Sequence, residues 1–177
     1  MVVIEGETIH LRIIEQSDLE TIRTWYSNPK LRGTDGILLP LTVPQMEKKY
    51  NDWSKQSHEV RMLIEKKDRS KLLGMITIYT RYGGIDLLIP DHNEEHKNAV
   101  VEAIDTALSY LFMEFDAKNS ISIWIPSWDT WLIDIIKEYG MKPAGRARRV
   151  GMRGGKYYDN VVFDLLKEEY LKQKQRK

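Results

Sequence analysis

Apolar side chains recur along this chain at two different periods, and the switches between them mark out the elements. Ile9, Leu11 and Ile13 alternate with Thr8, His10 and Arg12, the two-residue period of a strand. Ser17 followed by Glu20 has the spacing of a capping box. It predicts a short helix with Leu19, Ile22 and Trp25 on one side, ended by Asn28-Pro29. Residues 33–40 read as a loop. Thr42 and Gln45 repeat the capping-box spacing ahead of Met46, Tyr50 and Trp53 at helical intervals. Val60, Met62 and Ile64 return to alternation. A polar turn over 67–70 leads into a strand at 72–79, and Tyr82-Gly83-Gly84 turns the chain into a short apolar strand over 85–89, closed by Pro90.

The period then changes again. Val101, Ile104, Leu108, Leu111, Phe112 and Phe115 fit one face of a long helix. Ile121, Ile123 and Ile125 alternate. Leu132, Ile135, Ile136 and Tyr139 predict a helix that stops at Gly140, a residue suited to the left-handed C′ position. Gly154-Gly155 separates two last strands as in a hairpin. The expected order is β-α-α-β-β-β-α-β-α-β-β. That order belongs to the α/β (mixed α+β) class, with a central mixed sheet and helices on both faces.

Composition narrows the chemistry. The 177 residues suit a single domain over 1–177, and there is no internal repeat or linker. Cysteine is absent, which excludes disulfides, a thiolate nucleophile and cysteine metal sites; no metal is expected. The net charge of +1 is too small to point to nucleic acid or a membrane surface. The first residues lack the apolar run of a signal peptide, and no stretch reaches membrane-span length. The expectation is a cytoplasmic monomer or homodimer, with a polar, basic helix end over 167–177.

Four segments carry a resemblance. "LRIIEQSDLETIRTWYSNP" is similar to the opening strand and helix of the ribosomal-protein N-terminal acetyltransferases. "LLGMITIY" resembles their third strand, "EYGMKPAG" their closing helix, glycine and strand, and "GGKYYDNVVFDLLKEEY" their terminal hairpin. Together they span nearly the whole chain and resemble the GCN5-related N-acetyltransferase (GNAT) superfamily. The resemblance implies a sheet splayed between its fourth and fifth strands, with acetyl-CoA as acyl donor. The acceptor would be a protein N-terminus or a small-molecule amine. An aminoglycoside-type acceptor is a further possibility.

The resemblance also assigns residues. Leu88 and Ile89 would lie nearest the thioester. His96, Lys97, Asn98 and Ala99 would belong to the pyrophosphate loop before a helix that starts near Asn98. Asp129 would stand where the family places a coenzyme-contacting Asn. Asp86, on the fourth strand, would meet the substrate ammonium as an electrostatic or general-base group. Asp35 and Trp128 would contact substrate, although an exposed turn residue and a packing residue are the plainer readings of these two. The chain departs from the family at the loop motif, because residues 93–99 contain no glycine and include Glu94 and Glu95. It departs again after the fifth strand, where Trp131 stands in place of a small residue and Leu132 and Ile136 stand at the two usual hydroxyl-bearing positions. Trp124, Trp128 and Trp131 would line or plug the acyl-coenzyme slot, or else pack as core. A second function therefore stays open: a binding module on the same fold that has lost its coenzyme site. The arginines 146, 148, 149 and 153 read as charge guarding a hairpin edge, or as a basic patch.

Overall fold

In the computed structural model, which describes residues 3–31, 39–114 and 119–176, the segments of two-residue period are strands. They are β1 (Val3–Glu5), β2 (Ile9–Ile13), β3 (Glu59–Lys66), β4 (Leu72–Tyr79), β5 (Gly84–Leu88), β6 (Ser120–Pro126), β7 (Lys142–Arg153) and β8 (Lys156–Leu166). The helices are α1 (Leu19–Ser27), α2 (Val43–Trp53), α3 (Glu94–Ser109), α4 (Thr130–Tyr139) and α5 (Lys167–Gln175). All eight strands join one sheet in the order β1-β2-β3-β4-β5-β6-β8-β7. Strands β1 to β5 are antiparallel neighbours, β5 and β6 are parallel, and β6, β8 and β7 are antiparallel again.

Alternation along β5 sorts its side chains between two cores. Ile85 and Leu87 pack with Ala103, Ala107 and Leu108 of α3 and with Leu132, Ile135 and Ile136 of α4. Leu88 faces the other way and packs with Ile22 and Trp25 of α1, Met46 of α2 and Met75 of β4. Asp86 shares the face of Leu88.

The polar side of β2 is buried as well, so the strand is not the half-solvated one its alternation suggests. Arg12 makes a two-pronged pair with Asp18, at 2.7 and 2.8 Å. Glu65 on β3 receives Arg12 Nε at 3.0 Å and lies 2.6 Å from His10 Nε2. This network displaces the expected Ser17–Glu20 capping box. The buried guanidinium needs a carboxylate. Asp18 supplies it from a single tight turn, Gln16–Asp18, while accepting the Glu15 N–H at 2.8 Å. Glu20 pairs with Arg23 instead.

Other local expectations stand. Thr42 and Gln45 form the reciprocal box at the start of α2. Gly140 ends α4 with φ of 104°, a left-handed conformation that costs a residue with a Cβ more than glycine. The long helix starts earlier than expected, at Glu94 and not near Asn98, because Asn93 caps it by accepting the His96 N–H at 3.0 Å. Phe115 lies outside the described residues. The basic C-terminal segment is helical, as expected, but it is anchored: Tyr170 is buried with its ring 5.5 Å from that of Phe112.

Candidate active site

Strands β5 and β6 share only two rungs, Gly84–Ser122 and Ile85–Ile123. Each then runs on with its outer neighbour alone, β5 with β4 as far as Leu88–Met75 and β6 with β8 as far as Pro126–Asn160. The inner edges therefore part while the outer edges stay held. This is the splay the resemblance implies, and it opens toward the ends at Leu88 and Pro126. Gly74 on β4 accommodates the end of β5, since a Cβ there would meet the Leu88 carbonyl oxygen at 2.8 Å.

Two connections flank the gap. One runs from Leu88 to the start of α3, the other from Pro126 to the start of α4. Their side chains meet: the His92 and Trp131 rings stack with centroids 4.3 Å apart and planes 5° from parallel. Asp129 caps α4 by accepting the Leu132 N–H at 3.1 Å, and burial raises its pKa. Trp128 lies in the same connection, under the Arg153 guanidinium at 3.7 Å and edge-on to Tyr158 at 6.3 Å. A cavity of about 570 Å³ lies here, bounded by Lys30 and Leu31, by Asp91 and His92, and by Trp128 and Arg153.

At the start of α3 the side chains leave the gap. His96 is buried, with Nδ1 2.8 Å from Asn93 Oδ1 and Nε2 without a hydrogen-bond partner. Burial lowers its pKa and keeps the ring neutral at pH 7. Glu95 turns toward β3 and β4, where Lys66 and Lys71 bind it at 2.8 and 2.6 Å and hold its pKa down to about 2. Lys97 reaches across to Glu138 of α4 at 2.7 Å. Ala99 is core. Asn98 is exposed and borders a separate groove shared with Glu5, Glu7 and Glu102. The four positions assigned to a pyrophosphate loop thus lie within the helix, in its first two turns. What this end offers an anion is the remaining backbone N–H groups and the helix dipole. Glu95, neutralised by two lysines, does not oppose an anion there, whereas Glu94 stays exposed. These donors fit a pyrophosphate without the close wrapping that glycines give. The His92–Trp131 stack bridges the two flanking connections.

On the opposite face of the sheet, Asp86 occupies the first position past the last shared rung. Its Oδ2 accepts the Tyr79 hydroxyl at 3.1 Å. Leu88 is buried beneath α1, and Ile89 is buried on the α3 side. Asp35 lies outside the described residues. The hydroxyl of Tyr139 is not near the splay; it donates to Asp105 of α3 at 2.8 Å. The arginine cluster disperses along the sheet-edge strand β7. Arg146 pairs with Asp159, and Arg153 alone of the four borders the cavity with Trp128. Nothing in the sequence alone marks Tyr79 or Tyr82 as a site residue. The hairpin register, Tyr79 opposite Gly84 and Thr77 opposite Asp86, was the signal that brings Tyr79 to Asp86.

No protein-family model matches the chain, and no curated protein does. Solved structures do. The chain is similar to a spermidine N-acetyltransferase from Vibrio cholerae in complex with CoA and spermine, at 20% identity over 93% of this chain and 98% of that one, with a TM-score of 0.78. It is also similar to a GNAT-family acetyltransferase from Bacillus anthracis, at 18% identity over 95% and 100% of the two chains, with a TM-score of 0.78. The chain has the fold of the GNAT acetyltransferases. Among the described residues, no helix is long and apolar enough to cross a membrane.

Proposed function

We propose that this protein is an N-acetyltransferase that passes the acetyl group of acetyl-CoA to an amine, either a small molecule or a protein N-terminus. The observation that carries the reading is the parallel pair β5 and β6, joined at two rungs and open beyond them, with Asp86 at the first open position. Bound acetyl-CoA supplies an activated thioester carbonyl. The inner edge of β5 past Ile85 has no ladder partner, so its backbone N–H groups are placed to act as oxyanion donors. In this reading Asp86, which accepts the Tyr79 hydroxyl, binds the acceptor ammonium and takes the proton that must leave before the amine attacks. The test is release of free coenzyme thiol from acetyl-CoA across a panel of amines and amino-terminal peptides, with Asp86→Asn as control. Absence of thiol release with every acceptor would count against the reading.

A second reading, a binding module on the same fold, is favoured by the His92–Trp131 stack and the glycine-free helix start. It predicts no thermal stabilisation by acetyl-CoA even at millimolar concentration. A filled site at 100 times its dissociation constant would add about 2.7 kcal/mol to the folded state.

A further inference from the structure

Charge is not spread evenly along this chain. Residues 142–158 make up β7, the Gly154-Gly155 turn and the start of β8. They hold Lys142, Arg146, Arg148, Arg149, Arg153 and Lys156 and no aspartate or glutamate. The whole chain has 27 Lys and Arg against 26 Asp and Glu, so outside these six cations 21 face 26 acids. The net charge of +1 thus conceals a basic ribbon on an acidic body. β7 is the last strand of the sheet, and most of its residues are exposed.

One face of the ribbon mixes these cations with exposed apolar groups. Met152 and Tyr157 oppose each other across the hairpin, and Arg146 opposes Val161, which shares the Tyr157 side of β8. Met152 is 58% exposed and Tyr157 62% exposed. Between Ala147 and Gly151 the register slips, so Arg148, Arg149 and Val150 stand opposite Asp159 alone. Arg149 is left-handed there, with φ of 51°, a conformation that the Cβ of an L residue disfavours. Asp159 holds it in place, accepting the Arg149 N–H at 2.8 Å and the Arg146 guanidinium at 3.2 Å. The Asp159 backbone is tied in turn to Ser127, past the end of β6. The bulge sets the Arg149 guanidinium 5.6 Å from the Tyr157 ring centroid and leaves an open hollow of about 540 Å³ bordered by Arg148 and Arg149. Strained backbone persists where the surroundings fix it, and such positions cluster at binding sites.

Guarding a sheet edge takes charge. It does not take a tyrosine and a methionine left in water beside that charge. Arginines next to an exposed flat ring match a ligand with an anionic backbone and flat side groups. An acidic peptide would use the arginines and leave the ring idle. A nucleic-acid duplex keeps the faces of its bases stacked on each other. We propose that this hairpin binds single-stranded nucleic acid, with phosphates at Arg148 and Arg149 and a base stacked on Tyr157. The proposal is independent of the acetyltransferase reading.

Fluorescence anisotropy of a labelled oligouridylate of about 12 nucleotides, titrated with the full chain at several salt concentrations, is the test. Binding is expected, and it should weaken with salt by a log–log slope of about −0.7 for each phosphate neutralised. Arg148→Gln and Arg149→Gly should each make that slope shallower by about 0.7; glycine at 149 keeps the left-handed backbone, so this variant removes the guanidinium without straining the fold. Tyr157→Ala should leave the slope alone and weaken binding about fivefold or more at every salt concentration. All three side chains are exposed, and circular dichroism confirms that the variants fold. Polyglutamate of matching length should compete at least about tenfold less well. No binding at low salt, a slope unmoved by both arginine variants, or an affinity unmoved by Tyr157→Ala would overturn the proposal. Equal competition by polyglutamate would overturn it too and assign the ribbon to acidic polypeptides.

Discussion

The two sides of the open strand pair are built on opposite rules. On the α3–α4 side, groups near the gap are turned to partners elsewhere. Glu95 goes to two lysines, Lys97 to Glu138, and His92 to the face of Trp131. On the α1–α2 side, Asp86, Trp124 and Tyr82 border open volume. One strand serves both sides, since successive residues of β5 face opposite ways. The difference teaches where this protein departs from the common acetyltransferase pattern. On the proposed reading, the side given to the acceptor presents a carboxylate and an accessible surface, while the side given to the coenzyme has no glycine at the start of α3 and is closed by side chains. Acceptor binding is therefore expected to be the robust half of the function, and coenzyme binding the restrained half.

The largest expected effect would break the comparison from the acceptor side. Asp86→Asn should lower turnover by about 100- to 10,000-fold, the usual scale for loss of a general base. It should leave coenzyme binding unchanged, and steady-state kinetics beside an acetyl-CoA titration checks both. Next comes the scaffold beneath that side. Arg12 and Asp18 each have side chains 9% exposed and bind each other directly. Asp18→Ala leaves the guanidinium with one fewer carboxylate, and denaturant unfolding should show a loss of about 3–5 kcal/mol. Burial pushes the Asp18 pKa up, but the hydrogen bonds from Arg12 and from the Glu15 N–H outweigh it and hold the group below its usual value. A carboxylate with a lowered folded pKa stabilises the fold above its unfolded pKa. That contribution should fade as pH falls below about 4.

On the donor side the effects are smaller and sharpen the contrast. Trp131→Ala removes the ring that meets His92. An aromatic stack is worth about 0.5–1.5 kcal/mol, so acetyl-CoA affinity should rise by up to about tenfold in a thermal-shift titration. An unchanged affinity would mean that the stack does not stand in the coenzyme's way. His96 adds a pH signature. Its lowered pKa, caused first by burial, means that the unfolded chain takes up a proton before the folded one does. Stability should therefore fall as pH drops below about 6.5, and His96→Leu should flatten that slope. The smallest effect separates two neighbouring acids. Glu94→Gln should tighten acetyl-CoA slightly, whereas Glu95→Gln should not, because two lysines already neutralise Glu95.

Periodicity and punctuation alone determined most of the architecture. Strand alternation, the Thr42–Gln45 box, Asn28-Pro29 and Gly140 are local, since each depends on residues within one or two turns of chain. The element order then carried the resemblance to a splayed acetyltransferase sheet and placed Asp86 on the strand where the splay begins. Tertiary structure decided the rest, because it depended on partners distant in sequence. Asp18 answers Arg12 across a turn and Glu65 answers it from another strand, which no spacing rule reveals. By sequence Glu95 is a charge opposing an anion; in the fold Lys66 and Lys71, 29 and 24 residues earlier, hold it. The start of α3 moved from Asn98 to Glu94 because Asn93 supplies the cap, a choice between asparagines that composition does not make. Trp124, Trp128 and Trp131 are one cluster in the sequence but three sites in space. The chain leaves a strand and enters a helix between them, so one ring borders the opening beside Asp86, one lies under Arg153 and one closes on His92.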